Sequence, residues 1–81
     1  NPKPLSIERL KQISSEPTEH NWVWIELLQQ IANCKSAYYC AQADYTQGKA
    51  FCCGYPGAGY CLPYADYNQT WQAFLYEPKE G

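Results

Sequence analysis

The chain has 81 residues, including five Cys, eight Tyr and three Trp, and its net charge is −2. A domain of this length buries roughly 60% of its unfolded surface, so we expect a single small domain, residues 1–81, whose thin core cannot enclose every aromatic side chain. Six scattered basic residues argue against binding nucleic acid through phosphate neutralisation. The chain also has no apolar run of the ~18 residues that a membrane span needs.

The segment "PLSIERLKQISSEP" predicts a short first helix over residues 6–15. Ser6 is suited to the N-cap position. Leu10 and Ile13 follow Ile7 at intervals of three residues, which places the three side chains on one side of a helix. Pro17 lies just beyond the predicted end.

The next segment predicts a second, longer helix over residues 18–46. Apolar residues recur in it at alternating spacings of three and four, which is typical of an amphipathic helix. Gly48 is suited to end such a helix. The members of this series are Trp24, Leu27, Ile31, Cys34, Tyr38, Ala41 and Tyr45.

After Gly48 the pattern becomes that of strands. "KAFCCGY" and "YCLPY" are β-prone runs on either side of a Gly-rich turn, which indicates a hairpin. "TWQAFLYEP" alternates and reads as a third strand. The predicted fold class is therefore α+β, with two N-terminal helices packed on a three-stranded antiparallel β-meander.

The five cysteines are an odd number, which leaves at least one thiol unpaired. If Tyr55 pairs with Tyr60 in the hairpin, Cys52 shares a face with Cys61; a three-residue loop puts Cys53 there instead. Either way, only one of the two adjacent cysteines can face the core.

Three states of the thiols remain open. They could be reduced and buried, joined in one or two disulfides of a secreted protein, or bound to zinc. The spacings lack the C-x2-C pairs of zinc sites, and the single His20 is distant in sequence. We favour reduced thiols without a metal. The candidate structural thiols are Cys34, Cys52, Cys53 and Cys61.

The sequence contains no catalytic constellation, so we expect neither an enzyme nor a cofactor. "GYPGAGY" lacks the Lys-Ser/Thr of a phosphate-binding loop. The surplus aromatic residues are the candidates for partner binding, because Tyr and Trp are enriched at protein interfaces. They are Tyr55, Tyr60, Tyr64, Trp22, Tyr39 and Tyr67, with Tyr55 and Tyr60 expected to project from the hairpin tip. The alternative for that pair is a cross-strand contact that only stabilises the hairpin.

Two terminal segments resemble the Ead-like accessory proteins of lambdoid phages and prophages. They are "PLSIERLKQI" near the start and a tail in which Trp71, Leu75, Tyr76 and Pro78 follow the pattern W-x-x-x-L-Y-x-P. The likeness covers about a quarter of the chain and does not include residues 34–61. It implies a bacterial cytoplasm and a small protein that acts on other proteins, and it carries over no site.

We therefore expect a small protein-binding module that blocks a bacterial host or defence protein stoichiometrically. Its partner would be a protein, or a second copy in a homodimer, with neither nucleic acid nor membrane involved. A secreted, disulfide-stapled toxin or effector is the first alternative, since the absence of a visible signal peptide also fits a mature secreted chain. A small structural or zinc-binding subunit is the second.

Overall fold

A computed structural model describes residues 3–16, 21–55 and 58–78, without the side chains of Tyr55 and Ala58. The described elements are one helix, α1 (Ile7–Ser15), and five strands: β1 (Trp22–Leu27), β2 (Ala37–Ala41), β3 (Ala50–Tyr55), β4 (Ala58–Pro63) and β5 (Trp71–Phe74). A single 3-10 turn, Tyr64–Asp66, follows β4. The α+β class is confirmed, whereas the count of two helices and three strands is wrong.

The first helix was predicted correctly. Ser6 has extended backbone angles, and its hydroxyl accepts a hydrogen bond from the Arg9 N–H at 3.2 Å. Leu10 and Ile13 are buried in the core, while Ile7 is half-buried. A nine-residue helix is too short to persist alone in water, so α1 depends on this packing.

The predicted second helix is wrong: its described part holds two strands and a loop. Along β1, Val23 and Ile25 are buried whereas Trp22 is exposed, which is a period of two. Ala32, at a φ of 44°, interrupts the segment between β1 and β2. β-branched and aromatic residues favour strands, and this preference prevailed over a helical spacing that the same residues also satisfy. Residues 18–20 of the prediction lie outside the described part.

All five strands form one antiparallel sheet in the order β4-β3-β2-β1-β5. The predicted hairpin is confirmed as β3 and β4, which pair from Ala50↔Pro63 to Tyr55↔Ala58. This register differs from both predicted ones, but it does place Cys52 and Cys61 on one face. The third predicted strand, β5, pairs with β1 at the other edge of the sheet and not with the hairpin.

The sheet is curled so that its two edges approach each other. Strands lie about 4.8 Å apart, so a flat sheet would separate β4 from β5 by roughly 19 Å. Instead, the Trp71 indole N–H donates to the Pro63 carbonyl at 2.9 Å. The concave inner face holds the core, in which Trp71 and Phe51 are fully buried and have ring centroids 6.3 Å apart. Leu10 and Ile13 of α1 pack in this same core.

Candidate functional site

The outer face of the sheet carries a row of three aromatic side chains. Trp24 on β1 is paired with Tyr38 on β2 and with Phe74 on β5. The Trp24 and Tyr38 rings meet edge to face, with centroids 5.1 Å apart and planes at 80°. Residues opposite each other on neighbouring strands project to the same side, so the register itself creates the row.

Hydrogen bonds hold this row in place. The Trp24 indole N–H donates to the Glu26 carboxylate at 2.6 Å. The Tyr38 hydroxyl accepts the Glu77 N–H at 2.8 Å, which ties the segment after β5 to the same face. The rings therefore have a defined arrangement before any partner arrives.

Much of this aromatic surface is accessible. Trp22 lies two residues before Trp24, on the same side of β1, and is 41% exposed. Tyr38 is 38% exposed, and Tyr76, after β5, is 78% exposed. Phe74, at the β5 end of the row, is buried. We call Trp22, Trp24 and Tyr38 the aromatic face; α1 does not cover it, because Leu10 and Ile13 pack in the core on the inner side.

Three of the residues predicted to be exposed and to bind a partner are buried instead: Tyr39, Tyr64 and Tyr67. For Tyr39 the reason is strand alternation, which turns Tyr39 inward and its neighbour Tyr38 outward. The helical interpretation had assigned these two directions the other way round. A buried ring cannot contact a partner unless the domain opens, so these three residues are not candidates for a binding surface.

Two of these three buried phenols form hydrogen bonds with the backbone. The Tyr39 hydroxyl accepts the Lys35 N–H at 3.2 Å and donates to the Lys35 carbonyl at 3.0 Å. The Tyr67 hydroxyl donates to the Leu5 carbonyl at 2.6 Å and accepts the Ala73 N–H at 3.2 Å. These phenols fasten loop backbone to the sheet, and sequence reasoning could not tell this role from partner binding.

The hairpin tip does not present the expected pair of rings. Tyr60 is half-buried and meets Tyr39 edge to face, with centroids 5.9 Å apart, so it leans over the inner side. The Tyr55 side chain lies outside the described part. Trp22 is the one predicted site residue that the structure places in the exposed aromatic face. The alternation in "WVWIEL" was the signal of a strand, and pairing with this strand is what places Tyr38 beside Trp24.

All five cysteines are free thiols, and Cys34, Cys52 and Cys53 are buried. Cys34 and Cys53 belong to the core cluster, and burial raises the pKa of the Cys53 thiol far above its ordinary value. Cys52 and Cys61 face each other across the hairpin. Partial burial, the Cys52 thiol and the Asp44 carboxylate raise the pKa of the Cys61 thiol to about 11.

Two features of the described residues bear on metal binding and catalysis: the grouping of ligand-type side chains and an open depression. They contain no group of three or more His, Cys, Asp or Glu side chains close enough to hold a metal ion. An open depression of about 360 Å³ lies between Leu27 and Ser36. Its lining includes the Cys34 thiol, whose sulfur is 3.4 Å from the Tyr39 hydroxyl. The pKa of that phenol is raised, so the hydroxyl stays protonated at neutral pH. A protonated phenol is a poor base for activating a thiol.

Comparison with protein-family models, with curated proteins and with solved structures finds no match to this chain. Within residues 3–16, 21–55 and 58–78, none of the helical structure is long and apolar enough to cross a membrane. The geometry of the aromatic face is therefore the main basis for a functional proposal.

Proposed function

We propose that this protein is a small protein-binding module, derived from a phage, that blocks a bacterial host or defence protein by stoichiometric binding in the cytoplasm. The observation that carries the binding role is the aromatic face, where Trp22 and Tyr38 are each about 40% exposed beside the half-buried Trp24. Such residues supply much of the binding energy at protein interfaces.

The aromatic face is preorganised, which favours tight binding. Trp24 is held between Tyr38 and the Glu26 carboxylate, so little side-chain freedom remains to be lost on association. The Glu26 carboxylate lies against the Trp24 ring, and the exposed residue Glu77 contacts the Tyr38 hydroxyl through its backbone N–H. The surface thus fits a partner that offers an apolar cleft with Lys or Arg at its rim.

The phage origin and the inhibitory role are supported by the resemblance to Ead-like accessory proteins. The two segments that carry it form α1 with its N-cap and β5 with the residues after it. Steric blocking suits a chain of this size, because an interface of about 800 Å² on each partner requires no second domain.

The proposal is tested by capturing partners from a bacterial lysate with the full chain and with a Trp22→Ala/Tyr38→Ala double variant. We expect a specific partner to be retained by the parent chain and lost, or weakened at least tenfold, with the double variant. Tyr45→Ala is the matched control, since Tyr45 is 70% exposed and lies in the loop between β2 and β3. Equal capture by all three proteins would contradict the proposal.

A second copy of this chain is the alternative binding partner for the aromatic face. Sedimentation of the parent chain across a range of concentrations distinguishes the two. A dimer that Trp22→Ala disrupts would assign the face to a second copy and overturn the host-protein proposal. A monomer that still captures its partner supports it.

A secreted, disulfide-stapled effector is a second candidate because the Cys52 and Cys61 sulfur atoms lie 3.0 Å apart. A thiol titration of denatured, unreduced protein from its natural source separates the candidates. Five thiols support the cytoplasmic module, and a single thiol, left by two disulfides, supports the stapled protein.

A further inference from the structure

The hairpin register places Cys52 and Cys61 at a site with the right geometry for a cross-strand disulfide. The Tyr64 N–H donates to the Lys49 carbonyl at 3.1 Å, so this pair, just beyond the hairpin's last strand pair, is a hydrogen-bonded one. Antiparallel ladders alternate hydrogen-bonded and non-hydrogen-bonded pairs. Counting along the ladder makes Phe51↔Leu62 hydrogen-bonded and Cys52↔Cys61 non-hydrogen-bonded.

A non-hydrogen-bonded pair brings the two backbones close together. The Cα atoms of such a pair are about 4.5 Å apart, which lies within the 4.4–6.8 Å range that disulfides span. The two sulfur atoms are already 3.0 Å apart, so roughly 1 Å of approach would bring them to bonding distance, about 2.05 Å. Side-chain rotation alone can provide that movement.

The two thiols differ in access, as the members of an exchange pair do. Cys61 is exposed on the edge strand β4, whereas Cys52 is fully buried beside it on β3. A small oxidant can therefore reach Cys61 and not Cys52. The adjacent Cys53 projects from the opposite face into the core and cannot take part.

We propose that Cys52 and Cys61 form a thiol–disulfide exchange site, which low-molecular-weight disulfides oxidise to a cross-strand disulfide and small thiols reduce again. The inference concerns the hairpin alone and does not depend on the proposed partner binding.

The reaction takes place in two exchanges. The Cys61 thiolate attacks one sulfur of the small disulfide, which forms a mixed disulfide and releases one small thiolate. The Cys52 sulfur, after losing its proton to solvent, attacks the Cys61 sulfur, and the second small thiolate leaves. The two protein thiols are oxidised by two electrons, and one small disulfide is reduced to two small thiols, which take up the two protons.

The test uses the full, reduced chain and oxidised glutathione at mildly alkaline pH, where more of the Cys61 thiol is ionised. We expect the mass of the intact protein to fall by two hydrogen atoms and the five denatured thiols to decrease to three. Chymotrypsin cleaves after Tyr60 and so separates the two cysteines into peptides that remain joined until reduction.

Variants assign the bond, because peptides alone cannot distinguish Cys52 from its neighbour Cys53. Cys52→Ala should stop at a stable glutathione adduct on Cys61, and Cys61→Ser should lose the reaction. Cys53→Ala and Cys40→Ala are the matched controls, and both should form the disulfide as the parent does. Cys61 lies at the surface, so its variant remains informative even if Cys52→Ala does not fold.

Three results would overturn the proposal. The parent chain could keep glutathione as a permanent adduct, could remain fully reduced, or could form a bond that Cys53→Ala or Cys40→Ala abolishes. Partner capture is measured separately, so loss of exchange leaves the proposed function intact, and the reverse is equally true.

Discussion

At the scale of single residues, buried phenol groups hold irregular backbone against the sheet. Tyr39 binds both backbone polar groups of Lys35, and Tyr67 joins Leu5 to Ala73. A buried carbonyl or N–H without a partner costs free energy, so each phenol satisfies groups that the strands leave unpaired. These two tyrosines therefore stabilise the fold.

Removing one hydroxyl should measure this contribution. We expect Tyr67→Phe to lower the free energy of unfolding by about 1–3 kcal/mol, because the Leu5 carbonyl and the Ala73 N–H lose a buried partner. Urea denaturation gives the value. Tyr45→Phe, at an exposed position, should change stability by less than about 0.5 kcal/mol. Equal effects for the two variants would contradict this role.

The same burial predicts loss of stability in alkali. Burial and the Cys34 side chain raise the pKa of Tyr39 to about 12, and burial also raises the pKa values of Tyr64, Tyr67 and Cys53. Each group is neutral when protonated, so the native state binds more protons than the unfolded chain once pH exceeds the ordinary pKa values, about 8.5 for Cys and 10 for Tyr. These four groups should leave stability unchanged between neutral pH and that point and lower it as pH rises through 12.

Thermal unfolding between pH 8 and pH 12 checks this, with the midpoint temperature falling as pH rises. Tyr39→Phe should flatten the upper part of the curve, because one of the raised groups is gone. A midpoint that stays constant up to pH 12 would contradict the prediction.

At the scale of elements, the largest difference between the sequence prediction and the structure lies in residues 22–41, which were predicted as helix and form two strands. A chain with helices over 6–15 and 18–46 would be close to half helical. In the structure, the described helix is nine residues of 81. We expect a far-ultraviolet circular dichroism spectrum dominated by strand and aromatic signals, with little helical minimum. A strongly helical spectrum would restore the first interpretation.

The elements that were predicted correctly are those specified by adjacent residues. Ser6, Leu10 and Ile13 define α1 within one segment, and the runs around residues 56–57 define the β3–β4 hairpin. The position of β5 was missed, because its partner β1 lies more than 40 residues earlier in the chain. The aromatic face was missed for a different reason: Trp24 lies beside Tyr38 only when residues 22–41 form the paired strands β1 and β2 and not a helix.

At the scale of the whole molecule, Trp71 links the two edges of the curled sheet. Its ring packs on Phe51 and Tyr67, and its indole N–H bonds the Pro63 carbonyl. A domain of this size has a net stability of only about 5–15 kcal/mol, so one such side chain is a large fraction of it.

We expect Trp71→Ala to cost about 3–5 kcal/mol, because the large buried ring is lost. Trp71→Phe retains most of the buried ring but leaves the Pro63 carbonyl without its donor, and should cost about 1–3 kcal/mol. Chemical denaturation compares the two, and Trp22→Ala is the control at an exposed position. If Trp71→Ala lowers the free energy of unfolding no more than Trp22→Ala does, Trp71 does not link the two edges.

Short-range patterns in the sequence are sufficient to predict α1, the β3–β4 hairpin and the rule that only one of Cys52 and Cys53 can face the core. The rest depends on long-range pairing. The residues of β1 and β2 satisfy both a helical and a strand spacing, and their pairing with β5 and β3 selects the strand. That choice then decides which tyrosines are buried and which remain at the surface, because turning a segment from helix to strand changes the direction of its side chains.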